Sequence, residues 1–425
     1  MRIWIAMVFA AALGACAPRQ AEPDLNPLAE RYVRLALEIG AHEEGYIDAY
    51  YGPAEWKTEA EANPRSTTEL KPLADALAAE IDAALETAQD PLVQRRARAL
   101  AAYVSSARFR LDMIDGARAP FVEEAERLFA LRPELRPLES YDPVLQRIEQ
   151  LVPGPGPLSA RVQAFRDRYI VPADRLQAVM EAAIAECRRR TAEHIALLEN
   201  ERFTLEFVTG KSWSGYNYYQ GDNQSLIQVN TDLPVTIDRA VDLGCHEGYP
   251  GHHVQGISAE RLYRERGWAE FSVMPLYSPQ GPLNEGGGNY GVELAFPGDE
   301  RLQFEQARLY PLAGLDPATA GARAALAEAL NDLAGARLTI AQMYLDGQID
   351  RARAVELAQR YQLISRERAE QSLDFADEYR SYVINYSTGQ DVVGAFVERS
   401  GADNAARWAA YESILNQPTL PADLQ

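Results

Sequence analysis

Apolar residues between Leu28 and Ile39 recur at the spacing of one helix face, and the same period returns over most of the chain. Ser66-Thr67-Thr68-Glu69 has the form of a capping box ahead of a helix over Leu70 to Leu85. Asp90-Pro91 supplies an N-cap and a first-turn proline for a further helix running to about Gly116. Val152-Pro153-Gly154-Pro155-Gly156-Pro157 cannot continue a helix, because proline lacks the amide donor and obstructs the turn before it. That break predicts a helical N-terminal region over 28–150 and a second region over 158–425. Pro172 to about Leu198 reads as one long helix. The period then changes: Phe203, Leu205 and Phe207 alternate with polar neighbours as in a half-buried strand, and Ser225 to Thr231 is a second short strand. Pro234 and Thr236 lead into another helix. A Gly- and Pro-rich stretch from Ser278 to Gly291 interrupts the pattern, after which helical spacing resumes through about Ser372 and beyond. The predicted class is mainly α with a small β-sheet near the middle.

The N-terminus carries a different signal. Arg2 precedes an apolar run from Ile3 to Leu13, too short to span a bilayer, which takes about 20 apolar residues. Leu13-Gly14-Ala15-Cys16 closes it and resembles the lipobox of bacterial lipoproteins, in which the cysteine is acylated and becomes the new N-terminus. Residues 1–15 therefore read as a signal peptide, and 16–27 as a lipidated cysteine and polar tether. Ala17 after the cysteine points to anchoring at the periplasmic side of the outer membrane. A formal charge of −20 argues against a nucleic-acid partner, because phosphates must be neutralised to be bound. Beyond Cys16 only Cys187 and Cys245 remain, too few for a disulfide scaffold, and whether they pair is left open.

Of five histidines in the chain, three lie within His246-Glu247-Gly248-Tyr249-Pro250-Gly251-His252-His253. In zincin peptidases His-Glu-x-x-His places two imidazoles four residues apart on one helix face, so that both meet one zinc ion while the glutamate reaches its bound water. Pro250 and Gly251 disturb that spacing here. If the helix loosens at Pro250, His252 becomes the second ligand beside His246. If it stays regular, His253 shares the face of His246 two turns on, roughly 10.5 Å along the axis. His252 is preferred, with His253 as the alternative. A catalytic zinc commonly takes three protein ligands, and Glu285, in Asn284-Glu285-Gly286-Gly287-Gly288-Asn289-Tyr290-Gly291, is the expected third. Asp242, one turn before His246, is the expected outer acceptor orienting that ring. Cys245 reads as a small buried residue, with thiolate ligation as the alternative. His42 and His194 receive no role.

These residues resemble the bacterial family catalogued as domain of unknown function 885, through His-Glu-x-x-Pro-Gly-His-His followed by Glu-Gly…Tyr. Ile227 to Thr231 and Tyr386-Ser387-Thr388-Gly389-Gln390 resemble its flanking elements over most of the chain. The resemblance implies a helical, gluzincin-like metallopeptidase architecture with the small sheet next to the active-site helix. The family usually has Glu-Gly-Trp-Ala-Leu-Tyr-Ala-Glu where this chain has Glu285 to Val292, so Gly287 and Asn289 replace tryptophan and leucine; Glu285 and Tyr290 are kept. The implied function is zinc-dependent hydrolysis of peptide bonds in the cell envelope. Glu247 is then the general base, Tyr386 (with Tyr290 the lesser candidate) the donor to the oxyanion, and the strand at Ile227 to Asn230 the platform for a peptide-like substrate. The competing class is a non-catalytic envelope lipoprotein that binds peptides or a partner protein through a degenerate peptidase cleft.

Overall fold

The computed structural model describes residues 21–425 apart from 212 and 402, so Cys16 and the signal segment lie outside the described residues. The first helices are α1 (Asn26–Gly40), α2 (Ala54–Ala62), α3 (Thr67–Thr87), α4 (Pro91–Ile114) and α5 (Phe121–Phe129). The Ser66 hydroxyl and the Glu69 carboxylate cap α3 reciprocally, and Asp90 accepts from the amides of Leu92 and Val93 at the start of α4. Glu22 adds to that end, its carboxylate accepting from the amides of Gln89 and Asp90 at 2.9 and 3.1 Å. The strand β1 (Ile47–Tyr50) lies between α1 and α2.

Next come α6 (Asp142–Leu151), α7 (Leu158–Arg166) and α8 (Ala173–Ala192). The proline-glycine segment at 152–157 separates α6 from α7, but it does not separate cores: Ile148, Val152 and Val162 share one with Leu326, Ile340 and Leu373 from the C-terminal part. The long helix expected to reach Leu198 stops at Ala192, because the chain turns there to bury Ile195 and to stack His194 on Trp408, ring centroids 4.8 Å apart.

Three strands follow: β2 (Arg202–Val208), β3 (Gly215–Gly221) and β4 (Gln224–Asn230). β4 is central, parallel to β2 and antiparallel to β3. The β3–β4 hairpin turns at Asp222 and Asn223, both with positive φ, a conformation these two residue types tolerate well. β5 (Val273–Pro275) pairs antiparallel with β1 and so ties the N-terminal part to the middle of the chain.

The remaining helices are α9 (Ile237–Leu243), α10 (His252–Arg266), α11 (Gly281–Ala295), α12 (Glu300–Phe304), α13 (Tyr310–Ala313), α14 (Ala320–Asn331), α15 (Ala334–Leu345), α16 (Arg351–Tyr361), α17 (Arg366–Tyr379), α18 (Ile384–Arg399) and α19 (Asn404–Leu415). The protein is thus mainly helical with a small sheet. The stretch 278–291, read from its glycines as an interruption, is largely helix α11. Its glycines serve close packing: a Cβ on Gly286 would lie 2.1 Å from the backbone of Gly389 in α18, so the two helices touch backbone to backbone. A second core formed by α8, α9, α11, α18 and α19 surrounds the histidine segment. Among the described residues no helix is long and apolar enough to cross a membrane.

Candidate metal centre

The histidine segment is not one regular helix. α9 runs into a widened turn over Gly244–Gly248, the Tyr249–Pro250 peptide is cis, and α10 begins afresh at His252. Proline brings no amide donor to this turn. Gly251 folds back so closely that a Cβ there would stand 1.9 Å from the carbonyl oxygen of His246. This is the loosened geometry, and it turns His252 rather than His253 toward His246: the two rings lie 4.6 Å apart at 84°.

Glu285 of α11 completes the group. Its Oε2 stands 3.2 Å from Nε2 of His246 and 3.7 Å from Nε2 of His252. One ligand atom from each of the three falls within 4.8 Å of the others. Oε2 is buried yet receives no hydrogen bond, so the three atoms converge on one point without satisfying each other. Two imidazole nitrogens and a carboxylate oxygen are the donor set of many catalytic zinc sites, and these residues fit such an ion.

Each of the three side chains is held from behind. Nδ1 of His246 meets Oδ1 of Asn289 at 2.9 Å, and the Asn289 amide donates in turn to the carbonyl of Tyr386. Nδ1 of His252 meets Oε1 of Gln255 at 2.8 Å, and the Gln255 amide nitrogen donates in turn to the carbonyl of Asn284. Both contacts leave Nε2 free to ligate. The Tyr382 hydroxyl donates to Oε1 of Glu285 at 2.7 Å. A Cβ on Gly288 would press on the His246 ring at 2.8 Å, so the glycines of α11 also make room for this imidazole.

Electrostatics match the geometry. Burial opposes charge on Glu285, but the neighbouring imidazoles hold its carboxyl well below the ordinary carboxylate range. Burial alone would favour neutral His252, yet Glu285 and Glu247 push it up to about 10. A cation entering here would displace protons. Burial raises the Glu247 carboxyl, with the two imidazoles pulling the other way. That carboxylate makes no hydrogen bond or ion pair among the described residues, while its backbone carbonyl accepts from Asn217 of β3 at 2.6 Å. Asp48 of β1, which sequence reasoning missed, hydrogen-bonds the Tyr216 hydroxyl in the same cleft; burial pushes it up to about 7.

Several expected placements differ. His253 is fully buried behind the site, Nδ1 on Ser225 Oγ at 2.7 Å and Nε2 on Glu201 at 3.0 Å, and so is excluded as the second ligand of this centre. Asp242 pairs with Arg301 at 2.8 Å rather than with His246; Asn289 is the orienting acceptor. Tyr290 points away, its hydroxyl donating to Glu398 at 2.6 Å. Cys245 is joined to Cys187, fixing the widened turn to α8 and removing its thiol from ligation. Ile227 to Asn230 lies in the central strand, so both its edges are already paired; the edge strand lining the cleft is β3. Tyr386 does line the cleft, its ring 6.5 Å from that of His246. His42 and His194 are elsewhere, on the carbonyl of Arg65 and on Trp408.

The cleft holds about 520 Å³. No protein-family model matches the chain, and no curated protein matches it. Among solved structures it is similar to one described as "the putative lipoprotein from Colwellia psychrerythraea", at 12% identity and a TM-score of 0.49, covering 84% of this chain and 68% of that one.

Proposed function

We propose that the protein is an exported, lipid-anchored metallohydrolase with one zinc ion held by His246, His252 and Glu285, cleaving peptide bonds in the cell envelope. The observation that carries this reading is the convergence of those three ligand atoms beside a buried, unpaired Glu247 in an open cleft. Bound zinc would lower the pKa of a water and polarise the scissile carbonyl. Glu247 takes the water's proton and returns it to the leaving amine, a role its raised affinity for a proton suits. Tyr386 is the donor to the oxyanion: its hydroxyl makes no hydrogen bond among the described residues, whereas that of Tyr382 is committed to Glu285. The free edge of β3 offers backbone groups to an extended peptide, in a gluzincin-like arrangement. The Cys187–Cys245 bridge suits an oxidising compartment and so supports export through the signal segment and Cys16, with the body at the periplasmic side of the outer membrane.

The test is metal content of the soluble chain lacking residues 1–16. About one zinc per chain is expected, lost in Glu285→Ala and kept in Glu247→Gln, with peptide hydrolysis reduced by about a hundred- to ten-thousand-fold in the latter. A chain that takes up no zinc refutes the hydrolase reading and leaves the non-catalytic binding protein as the better one.

A further inference from the structure

The cleft has a cationic wall that the hydrolytic chemistry does not use. Three arginines line it: Arg239, Arg337 and Arg368. Arg239 stands 3.6 Å from Asp242. Arg337 and Arg368 make no side-chain hydrogen bond or ion pair among the described residues. Of the acids in the cleft, Glu285 faces the two histidines, Asp48 the Tyr216 hydroxyl, and Asp242 also Arg301; Glu247 is unpaired among the described residues, and it forms no ion pair with any of the three arginines.

This is not for want of carboxylates. The chain carries 62 acidic residues against 42 lysines and arginines, and elsewhere even buried arginines such as Arg96 are paired. Arg337 and Arg368 are half-buried, and a partly desolvated guanidinium without a counter-charge is costly, so one retained in a cleft points to a partner that arrives from outside. Arg337 is also held in a particular way. Its guanidinium lies 5.4 Å from the ring centre of Phe375 and 5.9 Å from that of Tyr386. Ring contacts of this kind position the group and leave its five N–H donors uncommitted. Tyr386 separates it from His246, so Arg337 is one aromatic ring removed from the candidate ligands. A short extended peptide bridges such a spacing, at roughly 3.5 Å per residue.

We infer that the cleft selects substrates bearing a carboxylate a short distance from the scissile bond, with Arg337 as the residue that binds it and Arg368 supporting the same positive field. Guanidinium and carboxylate match as a two-pronged pair, which sets register as well as affinity. The inference rests on the hydrolase reading for its catalytic consequence but makes a separate claim about binding. The carboxylate is either the C-terminus of the peptide or an acidic side chain within it.

The probes are alanine-based pentapeptides in three forms: free C-terminal acid, C-terminal amide, and amide carrying one glutamate. Hydrolysis is compared for the zinc-loaded protein, Arg337→Gln and Arg337→Lys, and binding is measured on zinc-loaded Glu247→Gln with and without Arg337→Gln. A carboxylate-bearing form is expected to be preferred by about tenfold or more, mainly in KM, as one charged hydrogen-bonded contact implies. The preference disappears in Arg337→Gln and is partly restored in Arg337→Lys. Preference for the free acid assigns the C-terminus as the source; preference for the glutamate amide assigns the side chain. Equal handling of all three forms, or a preference that survives Arg337→Gln, overturns the inference. Should no peptide be hydrolysed, the hydrolase reading fails, while the binding comparison still decides the role of Arg337.

Discussion

At the residue scale, the candidate centre depends on which nitrogen of each imidazole is free, and that is decided one step behind the ligands. Asn289 stands where the resembled family has leucine, yet it is the group that meets Nδ1 of His246. A change that looks like erosion in sequence is a working contact in three dimensions. Asn289→Ala is therefore expected to weaken zinc affinity by about 10- to 100-fold without unfolding the chain, as removal of an orienting partner does; competition against a chromophoric chelator measures it. Unchanged affinity would show that α11 backbone packing alone orients the ring. The gathering of His246, His252 and Glu285 was legible in part: histidine is scarce and three lie together, while Glu285 was expected from its place in the glycine-rich segment some thirty residues on. The choice between His252 and His253 followed from what proline does to a turn. Asn289, Tyr382, Asp48 and Arg337 were not legible, since each acts from a position distant in sequence from the residue it serves.

At the element scale, the histidine-bearing segment is wedged between α8, β3 and α11, and α11 in turn lies against α18. Capping signals marked α3 and α4 correctly, because they are local hydrogen-bond chemistry. The glycine run in α11 misled, because glycine's low helix propensity was outweighed by the tertiary gain of bringing two backbones together. Asp222-Asn223 was the overlooked sign of the β3–β4 hairpin. Gly286→Ala is expected to force α11 and α18 apart, costing about 1–3 kcal/mol as overpacking does and displacing Glu285. Urea unfolding read by circular dichroism would register the first effect and zinc titration the second. A variant as stable as the parent would mean that the helices yield easily at this contact.

At the scale of the whole molecule, two long-range ties hold the site to the body. Glu201, just before β2, accepts from His253, Tyr249 and Arg188. Burial would raise its carboxyl, but these donors hold it at about 2, below the ordinary value of about 4.3. A depressed carboxyl contributes stability above its unfolded pKa and loses it as pH falls through the folded one. Stability is thus expected to decline between roughly pH 4 and 2, and less steeply in Glu201→Gln; denaturant midpoints across that range test it. Parallel curves for the two proteins would rule Glu201 out as the source. The second tie is the Cys187–Cys245 bridge, which closes a loop of 58 residues. Its reduction is expected to lower stability by about 2–4 kcal/mol, seen as an earlier unfolding midpoint in reducing buffer. An unchanged midpoint would mean the covalent link adds nothing to the packing of α8.

Glu22 is already fastened to the start of α4. If Cys16 carries lipid, the chain between the two can pay out at most about 20 Å when fully drawn. Such a leash lets the body pivot against the bilayer surface but not leave it. For the proposed hydrolase, any substrate would then have to come to that shallow layer, and such an anchor would sort substrates by location before the pocket sorted them by chemistry.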